Sequence, residues 1–128
     1  MIDDAAVALR TTIELENPEQ PGYRVALRGV VIETDAPLSW LPAHLLEELG
    51  IARKKVWHFR QADGTEVRRS SGYAIVHVAG TETSDEVVFG EPGDATLLGA
   101  RSLEGLNLRV EPRTNRLVDA GPTRAATV

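Results

Sequence analysis

Apolar and polar residues alternate with a period of two in several short segments, a pattern typical of β-strands that bury one face. Three consecutive apolar residues at 30–32 break the alternation and predict a strand that enters the centre of the core. The short spacing between segments favours an all-β barrel or sandwich over βαβ units. The alternating segments are 12–16, 23–28, 73–78 and 106–111, and the turn pairs between strands include Pro21-Gly22, Asp63-Gly64, Ala79-Gly80, Pro92-Gly93 and Thr114-Asn115.

Two short helices are predicted among these strands. Residues 42–49 form the first, because their leucines fall on one side, Pro42 lies near the start and Gly50 follows the end. The second covers about 100–106. From about 119 to 128 the residues are small and polar, which predicts a C-terminal tail.

Composition narrows the class of protein. The 128 residues fit one domain with its own core. The absence of cysteine excludes a disulfide scaffold, a thiol nucleophile and a cysteine-based metal site. With 14 basic and 19 acidic residues the formal charge is −5, which argues against a nucleic-acid partner because Lys and Arg bind phosphates.

The chain carries no sign of a membrane or secretory protein. No apolar run approaches the roughly 20 residues of a membrane span. The acidic start lacks the positive and apolar regions of a signal peptide. We therefore expect a cytoplasmic protein with no membrane partner.

The most informative segment, residues 30–42, reads V-V-I-E-T-D-A-P-L-S-W-L-P. An apolar strand leads here into a carboxylate–Thr–carboxylate turn, a second apolar segment and the first helix. The pair Asp63-Gly64 then lies inside a long hairpin, and residues 96–106 read T-L-L-G-A-R-S-L-E-G-L. Over residues 13–118 this order resembles the retropepsin-like aspartic peptidases, in particular their small bacterial and archaeal single-domain members.

The family pattern is an apolar run, Asp-Thr-Gly-Ala, a Leu-Pro pair, a helix ending in Leu-Gly, a hairpin flap with Ala-Asp-Gly, and a second helix. The resemblance implies an all-β, retropepsin-like half-barrel with one or two short helices, closed by homodimerisation. It makes 1–118 the retropepsin-like domain, 119–128 a tail and the hairpin 55–78 the flap. It implies a peptide or protein ligand, no cofactor and no metal. The implied flap and cleft residues are Ala36, Trp57, Ala62, Asp63 and Gly64.

The motif departs from the family pattern at the catalytic turn. Counted back from Leu41-Pro42, the catalytic Asp falls on Glu33, the Thr on Thr34 and the Gly on Asp35. We take these three as the catalytic positions. A shifted register with Asp35 as the catalytic residue is the less favoured alternative, because it shortens the path to Leu41-Pro42 and puts Ala-Pro where Thr-Gly belongs.

The mechanism implied by the resemblance needs two close carboxylates that share a proton, because like charges that close do not both ionise. One chain supplies one motif, so Glu33 would face the Glu33 of a second copy. Glutamate moves each carboxyl by about 1.5 Å, and a shift of about 1 Å can cost on the order of a hundredfold in rate. Asp35 adds another negative charge, whereas Thr34 suits the family role of hydrogen bonding across the dimer.

Three functional hypotheses follow. The favoured one is a peptidase homologue that is catalytically impaired or inactive, a pseudoenzyme, but retains a peptide-binding cleft and flap. The first alternative is an active aspartic-type endopeptidase that uses a Glu33/Glu33 dyad across a homodimer. The second is a regulatory or structural partner that dimerises with an active relative.

These assignments also have ordinary structural explanations. Glu33 and Asp35 fit a solvated turn, and the pair Asp63-Gly64 fits a simple hairpin turn. Trp57, with its neighbour Phe59, fits a core strand better than a cleft.

The histidines and the basic stretch 53–69 do not point to a binding site. The three histidines lack metal-ligand spacing, and a cation held between Glu33 and Asp35 across a dimer is less favoured. The basic stretch 53–69 fits a charged hairpin edge better than a site for an acidic partner.

Overall fold

The chain folds mainly into β-strands, which confirms the all-β prediction. A computed structural model describes residues 8–126; the first seven residues of the predicted domain 1–118 and the last two of the predicted tail 119–128 lie outside the described residues. Within them the strands are β1 (Arg10–Glu16), β2 (Arg24–Ile32), β3 (Ser39–Pro42), β4 (Lys55–Arg60), β5 (Glu66–Val78), β6 (Thr81–Gly90), β7 (Leu97–Leu98), β8 (Leu108–Glu111) and β9 (Arg116–Asp119), and the helices are α1 (Ala43–Glu48) and α2 (Ala100–Leu106).

Six strands close into a ring in the order β1-β2-β7-β3-β6-β5. Strand β1 completes the circle, because it pairs with β2 and, at residues 14–16, also with β5. Strand β4 pairs with β5 outside the ring, and β8 and β9 form a separate two-stranded sheet. This barrel is closed within one chain, so a second copy is not needed to close it.

Two strand pairs in the ring are parallel: β2 with β7, and β3 with β6. Parallel neighbours need long connections, and here the intervening segments are 33–96 and 43–80. Since β2 and β7 run in the same direction, the loop after β2 and helix α2 after β7 emerge at the same end of the barrel. This topology positions the predicted catalytic turn beside α2.

The core fills the ring with alternate residues of its strands. On β5, Ala74, Val76 and Val78 are buried, whereas Tyr73 is 47% exposed. The alternation predicted at 73–78 is therefore confirmed. The largest fully buried side chains include Phe89, Ile13, Leu15, Leu41, Leu46 and Leu98.

Helix α1 lies one residue inside the predicted limits 42–49 at each end, with Pro42 as its N-cap. Gly50 follows the helix with a left-handed φ of 77°, as is usual for glycine after a helix end. Asn17 Nδ2 donates to the Leu49 carbonyl at 2.9 Å, which satisfies one of the last carbonyls of the helix.

Helix α2 confirms the prediction at 100–106 and corrects the strand predicted from residue 106. Leu106 is the last residue of the helix, and strand β8 begins at Leu108. Asn107 separates them with a φ of 56°, so the chain turns there before it can extend. In the part of the chain that the structure describes, no helix is long and apolar enough to cross a membrane.

The hairpin predicted at 55–78 is shorter in the structure. Strand β4 pairs with β5 only from Glu66 to Ser71. From Ser71 onward the long strand β5 pairs with β6. We call residues 55–71 the hairpin; its turn closes with Gly64 at a left-handed φ of 90°.

Candidate functional site

The predicted catalytic turn directly follows β2. The amide of Glu33 donates to the Leu98 carbonyl at 2.9 Å, so the β2–β7 ladder extends one residue beyond the strand. The amide of Ala36 donates to the Glu33 carbonyl at 3.3 Å, which closes the turn. The amide of Asp35 donates to Glu33 Oε2 at 3.0 Å. The turn thus fixes the Glu33 carboxylate by its own backbone.

Asp35 fits this turn without backbone strain. Its φ is not among the positive values found in the described residues, so the turn does not require glycine at this position. Thr34 and Asp35 are exposed, and Glu33 is half-buried. The side chain of Asp35 is accommodated within one chain, and any crowding that it causes would arise only against a second one.

The loop after the turn rests on the start of α2. The amide of Ala100 donates to the Ala36 carbonyl at 2.8 Å, and that of Arg101 to the Pro37 carbonyl at 3.0 Å. Gly99 makes this contact possible, because a Cβ on it would lie 2.6 Å from the Leu38 carbonyl oxygen. Close backbone approach, rather than a left-handed conformation, explains this glycine.

A buried chain of hydrogen bonds lies beneath the same loop. The Gly99 amide donates to Ser39 Oγ at 2.9 Å, and Ser39 Oγ lies 2.6 Å from Ser102 Oγ. Ser102 donates to Asp85 Oδ2 at 2.7 Å. A hydroxyl has one proton, and Ser102 uses its proton in the bond to Asp85. Ser39 is therefore the donor in the bond between the two serines. The chain ties β3, α2 and β6 together under the turn.

An apolar row crosses the sheet on the face away from the core. Val31 pairs in register with Leu97, Leu97 with Trp40, and Trp40 with Val88. All four lie outside the main core cluster, whereas the residues that follow them along the strands belong to it. The amide of Val31 donates to the Thr96 carbonyl and that of Glu33 to the Leu98 carbonyl, so the side chain of Glu33 continues on the face of Val31. The carboxylate therefore stands at the end of an apolar surface.

The hairpin packs its aromatic residues onto this row. The ring centroid of Phe59 lies 4.9 Å from that of Trp40, in a tilted arrangement. Trp57 stacks on Phe59 at 5.8 Å. Trp57 and Phe59 thus lie on the same face of the sheet as Trp40, outside the main core cluster, and Phe59 covers the Trp40 end of the apolar row.

Glu86 on β6 joins the hairpin to the barrel. Its Oε2 accepts a hydrogen bond from Trp57 Nε1 at 2.9 Å and one from Ser71 Oγ at 2.6 Å. Lys55 Nζ lies 3.5 Å from the same oxygen and 4.7 Å from the centroid of the Trp57 ring. Burial raises the pKa of Glu86, but the hydrogen bonds from Ser71 and Trp57 and the charge of Lys55 outweigh it and hold the pKa below the usual glutamate value.

The tip of the hairpin contains Ala62, Asp63 and Gly64, all of them exposed. Asp63 Oδ1 accepts hydrogen bonds from Thr65 Oγ1 at 2.7 Å and from the Thr65 amide at 2.9 Å. These bonds lower the pKa of Asp63. They stabilise the turn itself, so they neither require nor exclude a contact between the tip and a ligand.

The structure places the predicted turn residues and Trp57 on one side of the molecule's candidate site, and the predicted tip residues away from them. Glu33, Thr34, Asp35 and Ala36 form one turn, and Trp57 lies on the face of the sheet that Glu33 extends. The tip residues lie at the far end of the hairpin, where their hydrogen bonds stay within it.

Most basic residues of the stretch 53–69 lie close to a carboxylate. No group of three or more metal-ligating side chains occurs among residues 8–126. Carboxylates from elsewhere in the fold offset much of the charge of the basic stretch 53–69, as in a solvated, ion-paired hairpin. The pairs are Arg53–Glu47 at 2.7 Å, Lys55–Glu86 at 3.5 Å and Arg69–Asp94 at 2.7 Å.

The sequence matches no protein-family model and no curated protein. The function is therefore inferred from the residues and their geometry.

Sequence reasoning did not single out Trp40, Glu86 or the Ser39–Ser102–Asp85 chain. Trp40 and Glu86 reach the site only through the order β3-β6-β5-β4, which no local pattern reveals. One signal was available: the chain has two Trp and two Phe, and three of these four rings form one cluster.

Proposed function

We propose that the protein is a retropepsin-like aspartic peptidase homologue that binds an extended peptide but is catalytically impaired. The observation that carries the proposal is the position of Glu33. A carboxylate stands just after the C-terminal end of β2, where Val30 and Ile32 are buried, is fixed by the amide of Asp35 at 3.0 Å, and shares a face with an apolar row under a hairpin. The position of Glu33 and the hairpin are the parts that the sequence resemblance implies, whereas the apolar row follows from the strand pairing.

The apolar row supports peptide binding. Val31, Leu97 and Trp40 are half-buried and lie in one row across β2, β7 and β3, and apolar walls with few polar groups are typical of ligand sites. The hairpin supplies Trp57 and Phe59 from the other side. A peptide would lie between the hairpin and the Glu33 turn, with its apolar side chains against the row.

The chemistry of the turn supports impairment. Cleavage by an aspartic peptidase needs a second carboxylate close to the first, and one chain holds one such turn. In a homodimer both Glu33 carboxyls would be displaced by the extra methylene, and Asp35 would bring two more carboxylates to the axis. Four carboxylates near one axis repel one another unless some are protonated.

An active Glu33/Glu33 peptidase is the second candidate. The observation that favours it is that Glu33 is half-buried rather than fully buried and oriented by a backbone hydrogen bond, which are properties that a general base needs. A dimer of this chain with an active relative stays as a third possibility that uses the same turn.

Peptide binding and peptide cleavage are tested separately. A fluorescent peptide library is titrated against wild type, Glu33→Gln, Asp35→Gly and the double variant Glu33→Asp/Asp35→Gly, from acidic to neutral pH. We expect wild type and Glu33→Gln to bind similar peptides without cleavage, and the double variant to cleave. Asp35→Gly alone is the matched control, because it separates the effect of removing Asp35 from the effect of changing Glu33.

Each result separates the candidates. Cleavage by wild type that is lost in Glu33→Gln would favour the active peptidase. No gain of cleavage in the double variant would mean that the rest of the catalytic geometry is absent. Failure of every variant to bind any peptide would reject the proposed function.

A further inference from the structure

The position of the hairpin depends on side chains rather than on a second strand partner. In the strand order of the described residues, β4 lies at the end of the sheet next to β5. Three sets of side-chain contacts join the hairpin to the barrel. They are the packing of Phe59 on Trp40 at 4.9 Å, the ion pair of Arg69 with Asp94 at 2.7 Å, and the polar contacts to Glu86.

Glu86 collects donors from both strands of the hairpin. Trp57 on β4 and Ser71 on β5 donate to the same oxygen, Oε2. Lys55 contributes its charge at 3.5 Å. The side chain of Glu86 is only 12% exposed. Ser71 is held beside Glu86 by its pairing with β6, so the donor that depends on the position of β4 is Trp57.

We propose that Glu86 is a positioning residue of the candidate site: its carboxylate holds the hairpin against β3 and so sets the width of the cleft next to Glu33. The role rests on the proposed function, since it concerns the cleft that would hold the peptide. Glu86 itself lies on the wall, and it acts through Trp57 and the aromatic cluster.

The negative charge of Glu86 is what makes this contact strong. Hydrogen bonds to a carboxylate are about twice as strong as those between neutral groups. The groups that face it are Lys55 and Trp57 from β4 and Ser71 and Tyr73 from β5, Tyr73 being its direct cross-strand partner. Protonation removes the charge that attracts Lys55 and weakens the bonds from Trp57 and Ser71. The hairpin is therefore held most firmly when Glu86 is ionised.

The chain contains its own probe for this contact. Its two tryptophans are Trp40 and Trp57, which both belong to the aromatic cluster. Tryptophan emission therefore reports on how closely the hairpin lies on the barrel. Amide hydrogen exchange in residues 55–60 reports, without a label, on how firmly β4 stays paired with β5 when Trp57 and Lys55 anchor it to Glu86.

The test compares wild type with Glu86→Gln and Trp57→Phe in the absence of peptide. Glu82→Gln is the matched control, because Glu82 lies on the same strand with a side chain 61% exposed. We expect exchange in 55–60 to accelerate about tenfold in both test variants and to stay unchanged in the control. Emission of wild type should shift to the red on acidification, and this pH-dependent step should be absent in Glu86→Gln.

Equal exchange rates in wild type and Glu86→Gln would overturn the proposal. If Glu86→Gln does not fold, Trp57→Phe decides, because it removes the donor but keeps an aromatic ring on Phe59. Unchanged peptide affinity in a variant whose hairpin exchanges faster would also overturn the role in the cleft. Wild type that binds no peptide would reject the proposed function, whereas exchange and emission would still decide whether Glu86 holds the hairpin.

Discussion

Asp85 and Glu86 are consecutive residues of β6 that hold opposite sides of the candidate site. Asp85 accepts a hydrogen bond from Ser102 of α2 at 2.7 Å. Glu86 accepts one from Trp57 of the hairpin at 2.9 Å. Successive side chains of a strand point to opposite faces, so one strand positions both the support of the Glu33 turn and the hairpin.

Ser102→Ala should destabilise the protein by about 1–3 kcal/mol, because it leaves Ser39 and Asp85 without their buried partner. Urea unfolding gives the free energy. Ser84→Ala, on an exposed position of β6, is the matched control and should change stability by less than about 0.5 kcal/mol. An equal loss of unfolding free energy in the two variants would mean that the buried hydrogen bonds do not stabilise the protein.

Gly99→Ala should displace the loop that carries the predicted catalytic turn. The new Cβ would lie 2.6 Å from the Leu38 carbonyl oxygen and 2.7 Å from that of Ala36, and such overpacking costs about 1–3 kcal/mol. NMR amide shifts should change throughout 33–38, with a lower free energy of unfolding.

Gly93→Ala is the control for the Gly99 variant. Gly93 has a φ of 95° and open space around its Cβ position, so alanine there costs about 1–2 kcal/mol through backbone conformation alone. Its amide shifts at 33–38 should match those of wild type. Unchanged shifts in Gly99→Ala would show that the loop does not depend on the close approach.

Glu16 should make stability depend on pH. The Gly22 amide, at 2.7 Å from Oε2, and His77, at 2.7 Å from Oε1, hold the pKa of this carboxyl below its usual value. The unfolded chain then binds more protons, so the stabilisation is present above the unfolded pKa of about 4.3 and is lost as the pH falls through the lower folded pKa.

Urea unfolding of Glu16→Gln measures this effect. The stability gap between wild type and the variant should be widest near neutral pH and should narrow in acid. Glu19→Gln, at an exposed position nearby, should follow the wild-type curve. A gap that stays constant with pH would show that packing, rather than the charge of Glu16, is responsible.

Asp35→Gly should strengthen self-association if two chains meet at their Glu33 turns as proposed. Removing two carboxylates from the dimer axis lowers the repulsion, and the same repulsion should weaken with added salt. Analytical ultracentrifugation gives the dissociation constant. Glu48→Gln removes a negative charge from the exposed face of α1 and should leave association unchanged; equal effects of both variants would indicate a general charge effect.

Much of the fold follows from local patterns. The alternation at 73–78 predicts that burial on β5 repeats every second residue, and Pro42 and Gly50 give the limits of α1 to within one residue. The strand order is not encoded locally. Strands β2 and β7 pair in parallel although 64 residues, 33–96, separate them, and such a pairing is decided by which surfaces pack together in the closed ring.

The sequence by itself determined an all-β chain with two short helices and a carboxylate–Thr–carboxylate turn after an apolar strand. Only the tertiary structure decided that Trp40 meets Phe59 and that Glu86 binds Trp57, because these contacts depend on the register of β3, β6, β5 and β4. The physical reason is that a side-chain period tells which face a residue occupies, whereas its neighbours on that face are set by strand pairing across the whole barrel.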